Sequence, residues 1–84
     1  MIKIVFSEVE SPTTPENAID LNRSSGFRAV NLATKHSTIF IINENGDEVS
    51  LSLVKGESVH LKKELGAKVY SSSGQVRISG VSIY

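Results

Sequence analysis

The sequence predicts an all-β fold, a small antiparallel β-sandwich or partly closed β-barrel of about seven short strands. Apolar residues recur at alternate positions through most of the chain after Gly26, a period near two that belongs to strands and not to helices. Turn-forming residues interrupt those runs about every eight to twelve residues, the spacing of a sandwich or small barrel. No stretch sustains helical spacing, and a helix is expected only as a single turn near Lys62 to Leu65.

The first strand is expected from Ile2 to Phe6. Residues 7–26 follow with Pro12, Pro15 and many small polar residues, and proline cannot donate to a ladder, so no regular central strand fits there. A long loop is expected, with a short pairing near Ala18 to Leu21, or else an arm that reaches a neighbouring chain. Strand character resumes from Phe27 to Leu32, with a polar connection from Ala33 to His36. The run from Thr38 to Ile42 is apolar on both faces, which places it centrally or under a second cover, a neighbouring chain included. Asn43-Glu44-Asn45-Gly46-Asp47 contains an Asn-Gly pair that tolerates positive φ and signals a hairpin. Beyond it, Val49, Leu51 and Leu53 share one face while Ser50 and Ser52 point to solvent. A second turn from Val54 to Glu57 leads into Ser58 to Lys62, and these three strands are expected to form a meander. Ala67 to Tyr70 and a C-terminal strand from Val76 complete the series. In that last strand Val76 and Ile78 share one parity, and Val81 and Ile83 the other, so a β-bulge is expected at Gly80.

With 84 residues, the chain is read as one domain spanning 1–84, and a domain of that size buries only ~60% of the surface its unfolded form exposes. So thin a core is commonly supplemented by disulfides, a metal or assembly with other chains. There is no cysteine, so disulfides and thiolate metal sites are excluded, and assembly is the route expected. Acidic and basic residues balance, so long-range attraction to nucleic acid or anionic membrane is not a dominant feature. The distribution is less even: Lys3 stands against Glu8, Glu10, Glu16 and Asp20 in the first twenty residues, whereas Lys55, Lys62, Lys63 and Lys68 face only Glu57 and Glu64. The opening Met1 to Phe6 lacks the long apolar region and small-residue cleavage site of a secretory signal, and nothing approaches the ~20 apolar residues of a membrane span. A protein made in the cytoplasm, with no membrane partner, is expected.

The residues that could carry chemistry form no constellation. His36 and His60 are not in a paired metal-binding spacing, and no cofactor is expected. The acidic stretch from Asn43 to Glu48 fails the calcium-loop pattern, because its sixth and twelfth positions are Glu48 and Val54 instead of glycine and glutamate. Serines are many, but no Gly-x-Ser-x-Gly elbow is present, and no glycine-rich phosphate loop. Lys55, His60, Lys62, Lys63 and Lys68 cluster in sequence, yet only Tyr70 lies near them, whereas single-strand binders interleave such charge with several stacking aromatics. Nucleic acid is therefore not the expected partner, and no enzyme activity is expected.

Phe27-Arg28-Ala29-Val30-Asn31, the strand and turn that follow, Ser50 to Val54, Gly56-Glu57-Ser58-Val59, Lys62-Lys63 and the closing Val-x-Ile-x-Gly-Val strand resemble small virion proteins of tailed bacteriophages, especially marine and cyanobacterial phages. The likeness covers about two-thirds of the chain and is a pattern of turns and alternation. It implies a capsid decoration (cement) protein, or a neck or tail accessory protein, located in the virion, present in many copies and without enzyme activity. Its partners would be copies of itself, as a homo-oligomer, and capsid or other virion proteins. On physical grounds the candidate interface is Phe40 and Ile42 on one face of the doubly apolar strand, then Pro12, Pro15 and Ile19 in the long connection, with Lys62 and Lys63 as a basic pair. The alternative is a small barrel that binds nucleic acid or carbohydrate.

Overall fold

Alternation makes each strand two-faced, and in a chain this short the apolar faces have only one another to bury against. The computed structural model describes residues 3–5 and 7–83. They form eight strands, β1 (Lys3–Val5), β2 (Val9–Glu10), β3 (Gly26–Asn31), β4 (Ser37–Ile42), β5 (Glu48–Leu53), β6 (Ser58–Lys62), β7 (Lys68–Ser71) and β8 (Val76–Ile83). One antiparallel sheet has the order β1-β8-β3-β6, with β2 also paired to β8; the other has the order β5-β4-β7. The sheets stay open instead of closing into a barrel, so the sandwich is the architecture formed. Phe27, Ala29, Val76 and Ile78 from the larger sheet meet Ile39, Ile41, Leu53 and Val69 from the smaller one, all buried.

The expected meander does not form. β4 and β5 pair as a hairpin, from Ser37↔Leu53 to Ile42↔Glu48, but β6 pairs with β3 in the other sheet. The end of β3 captures the turn: the Asn31 N–H donates to Glu57 O at 2.9 Å, and the Gly56 N–H donates to Asn31 O at 2.9 Å. Alternation in Ser58–Lys62 specifies which face turns inward, and either sheet satisfies it, so the sequence pattern could not choose the partner. The hairpin turn itself is as expected, with Gly46 at φ 93° and its N–H donating to Asn43 O.

Two further expectations are corrected. The chain near Lys62 to Leu65 is not helical. The one 3₁₀ turn described is Pro15–Asn17, where the fixed φ of proline suits the first position. No bulge interrupts β8 against β3, whose register runs unbroken from Gly26↔Val81 to Asn31↔Val76. The slip falls on the opposite side of β8: Val5 pairs with Val81 and Val9 with Ile78, so the β1–β2 side has one more residue than the span it faces. Gly80 instead sits opposite Phe27 in the β3–β8 ladder.

The segment 7–26 is not a free arm. The Ser11 N–H donates to Val76 O at 2.8 Å, the Ser71 N–H donates to Pro12 O at 2.9 Å, and Ile19 and Val69 exchange two backbone bonds as the expected short pairing. It therefore bonds to both sheets and closes one side of the sandwich. Leu21, Asn22 and Arg23 all have positive φ, and this left-handed turn brings Leu21, 5% exposed, into the core. Ile2 and Phe6, at the ends of the first expected strand, and Tyr84 lie outside the described residues.

Candidate functional site

The outer face of the three-stranded sheet is built by the even-numbered residues of its strands. Register places Phe40 between Ser50 and Tyr70, and Ile42 between Glu48 and Lys68. Burial alternates along β4, with Ser37, Ile39 and Ile41 buried and Thr38, Phe40 and Ile42 partly exposed. The strand is central, as its doubly apolar sequence implies, and its outer side chains remain partly accessible.

Tyr70 organises this face. Its ring stacks on Phe40 with centroids 4.7 Å apart and planes 15° from parallel, an arrangement that contributes about 0.5–1.5 kcal/mol beyond area burial. Its hydroxyl crosses β4 and donates to a Glu48 carboxylate oxygen on β5. One side chain thus straps the outer strands together over the middle one. That hydrogen bond to the Glu48 carboxylate, followed by burial and the nearby negative charge of Glu48 and Glu16, pushes the Tyr70 hydroxyl up to about 12. Ionisation removes the donor and sets a phenolate against a carboxylate.

The sign of the linkage follows. A group whose folded pKa lies above its unfolded value, here ~10, lends stability that is fully present below pH ~10 and lost as pH rises toward ~12. Alkaline titration followed by phenolate absorbance, comparing the native chain with Tyr70→Phe, should show one tyrosine ionising late, near the upper end of that window. A Tyr70 that titrates near 10 would mean the Glu48 bond does not persist in solution.

The residues expected to form the interface separate. Phe40 and Ile42 share the face just described. Pro12 and Pro15 lie along β7, where Pro12 O accepts from Ser71 and the 3₁₀ turn rests on the strand. Ile19 packs against the core, which leaves its side chain little role as an interface anchor. Lys62 is exposed on the far sheet, opposite Gly26. Lys63 folds back: its ammonium donates to Glu64 O at 3.1 Å and Leu65 O at 3.2 Å, and its pKa is lowered, desolvation outweighing attraction from Asp20 and Glu44. Tyr70 and Glu48 were not in the sequence-derived set. The pairing that joins them runs through β4–β7 contacts between strands distant in sequence, which alternation does not report.

The basic residues do not line one groove. His60 and Lys62 lie on the outer face of the larger sheet, and Lys68 lies on the outer face of the smaller one. On the larger sheet, Arg28 and Arg77 are partnered by Glu8 at 3.6 Å and Glu10 at 3.7 Å. His36 borders an open depression of about 240 Å³, lined otherwise by residues such as Thr34, Ser72, Ser73 and Gln75. Among its lining residues is no acid to orient the imidazole. Among the described residues, no three His, Asp or Glu side chains come together as a metal site, and no helix is long and apolar enough to cross a membrane. No protein-family model, curated protein or solved structure matches the chain.

Proposed function

We propose that the protein is a non-enzymatic structural component of a bacteriophage particle, a capsid decoration protein that acts in many copies through surface contact. Its sequence resemblance to small virion proteins supports the placement in a particle; a neck or tail position is the alternative within it. The observation that carries the contact itself is the outer face of the three-stranded sheet. There a rigid Phe40–Tyr70 stack and Ile42 are set among Thr38, Ser50 and Ser52, with Glu48 and Lys68 on either side of Ile42. An aromatic centre with a small polar and charged rim is the composition that binding interfaces favour. Held by strand pairing and by the Tyr70 to Glu48 bond, it loses little conformational freedom on docking.

The test is co-sedimentation with tailed-phage capsids from the phage that encodes the chain. Phe40→Asp is expected to weaken binding by about 30- to 1000-fold while the unfolding transition stays cooperative, since truncated hot spots cost about 2–4 kcal/mol and this one lies outside the core. Ile42→Asp should act in the same direction. Wild-type protein that leaves the particles in the supernatant, or variants that bind as wild type does, would overturn the reading.

A further inference from the structure

The two sides of the sandwich are finished differently. The β7/β8 side is closed by the chain itself, through Ser11, Pro12 and Ile19. The opposite side ends in β5 and β6, each an edge strand, and no described residue pairs with the outward side of β5. Sheet edges in monomers are ordinarily protected by lysine, proline, bulges or a covering loop. β6 has Lys62 and His60. β5, Glu48-Val49-Ser50-Leu51-Ser52-Leu53, has no lysine, no proline and an unbroken register with β4. Its inward-facing Val49 is half exposed, and Leu51 is only partly buried.

The parity of its backbone groups can be read from the hairpin. The Asn43 N–H donates to Asp47 O, so Asn43↔Asp47 is a hydrogen-bonded pair. In an antiparallel ladder such pairs alternate with non-bonded ones, so Val49, Leu51 and Leu53 direct their N–H and C=O groups toward β4. Glu48, Ser50 and Ser52 therefore direct theirs outward, to the open edge.

We infer that this edge pairs antiparallel with β5 of a second copy of the chain, about a two-fold axis at Ser50. That register sets Ser50 opposite its own copy and Glu48 opposite the copy's Ser52, so all three outward residues on each chain find bonded partners. Val49 then lies opposite the copy's Leu51 at the close, non-bonded positions, and the half-exposed valine is covered. The single charge in the strand, Glu48, meets a serine and not another carboxylate. Shifting the register by two residues either way leaves at least one outward residue of each strand without a partner inside the strand. The segment is self-complementary in hydrogen bonding, apolar pairing and charge, which selects a second copy as the occupant, and a two-fold contact of this kind closes on itself. The result is a continuous six-stranded sheet from two copies of the order β5-β4-β7.

This inference deepens the multi-copy part of the proposed function and rests on it for that alone. The chain has no cysteine, so a single introduced one reports cleanly. Ser50→Cys is expected to cross-link to its copy through a short bifunctional thiol reagent, because facing residues of a bonded pair stand ~5.5 Å apart at Cα. Ser52→Cys should not, since its copy would lie four residues along the paired strand, on the order of 13 Å away. Sedimentation velocity should show a concentration-dependent dimer for wild type and a monomer for Ser50→Pro, whose missing N–H faces outward and is tolerated by an edge strand. A wild-type monomer at sub-millimolar concentration, cross-linking at Ser52 faster than at Ser50, or a dimer dispersed by Lys62→Glu with no Ser50→Cys cross-link would each overturn it. The last result would indicate head-to-tail pairing of β5 with β6. Particle binding that persists in a strictly monomeric protein would leave the proposed function standing and remove only this contact.

Discussion

Asn31→Leu is expected to destabilise the fold by about 3–5 kcal/mol, read as a fall in the urea midpoint with an unchanged slope. Asn31 is fully buried at the end of β3 and is bonded through every polar atom of its side chain. Its amide nitrogen donates to Lys35 O at 2.9 Å, Leu53 O at 3.1 Å and Val54 O at 3.2 Å. Its side-chain oxygen accepts from the Ala33 N–H at 3.0 Å and the Ser37 hydroxyl at 3.1 Å. One residue thus joins the end of β3, the connection to β4, the start of β4 and the end of β5. Leucine keeps the branching at Cγ but is bulkier, and it strands two buried donors and several carbonyls, where each unsatisfied group costs about 1–3 kcal/mol. Asn31→Asp separates the contributions. It keeps the acceptor for Ala33 and Ser37 and points oxygen at three carbonyls, so its carboxyl pKa is raised in the fold. The variant should therefore be less destabilised at pH 4 than at pH 7, because stability tied to a raised carboxyl pKa is lost as pH rises through it. An Asn31→Leu protein as stable as wild type would remove the network from the account of this fold.

Phe27→Ala is expected to cost about 3–5 kcal/mol, the range for removing a buried phenylalanine. A domain of this length holds on the order of 4–13 kcal/mol in total, so the variant should be close to unfolded at 37 °C or visibly frayed in amide exchange. Phe27 is 1% exposed, pairs with Leu61 on one side and Gly80 on the other, and is the largest fully buried side chain among the described residues. Phe40→Ala is the control. Its ring lies outside the core against Tyr70, and about 1 kcal/mol should be lost. Equal losses at the two positions, measured by thermal unfolding, would contradict the assignment of inner and outer faces.

Much of the local structure is legible in the sequence. The Asn-Gly turn, the inward face of Val49, Leu51 and Leu53, the central position of the Thr38 to Ile42 run and the short pairing near Ile19 all follow from period, turn chemistry and proline. Phe40 and Ile42 were legible as candidates for the same reason, since a strand apolar at both parities must present one apolar face away from its own core. Tyr70 and Glu48 were not, nor was the role of Asn31, whose partners Lys35, Ser37, Leu53 and Val54 are brought to it by the fold.

Amino-acid order alone determined that the chain is all-β, where its main turns fall and which side of most strands turns inward, because those properties depend on neighbours a few residues away. Tertiary structure alone decided that β6 crosses to β3, that β7 joins β4 and that residues 7–26 close one side while β5 stays open. These choices depend on which of several equally patterned edges meet in space. A period of two identifies a buried face and leaves the identity of the strand beside it undetermined.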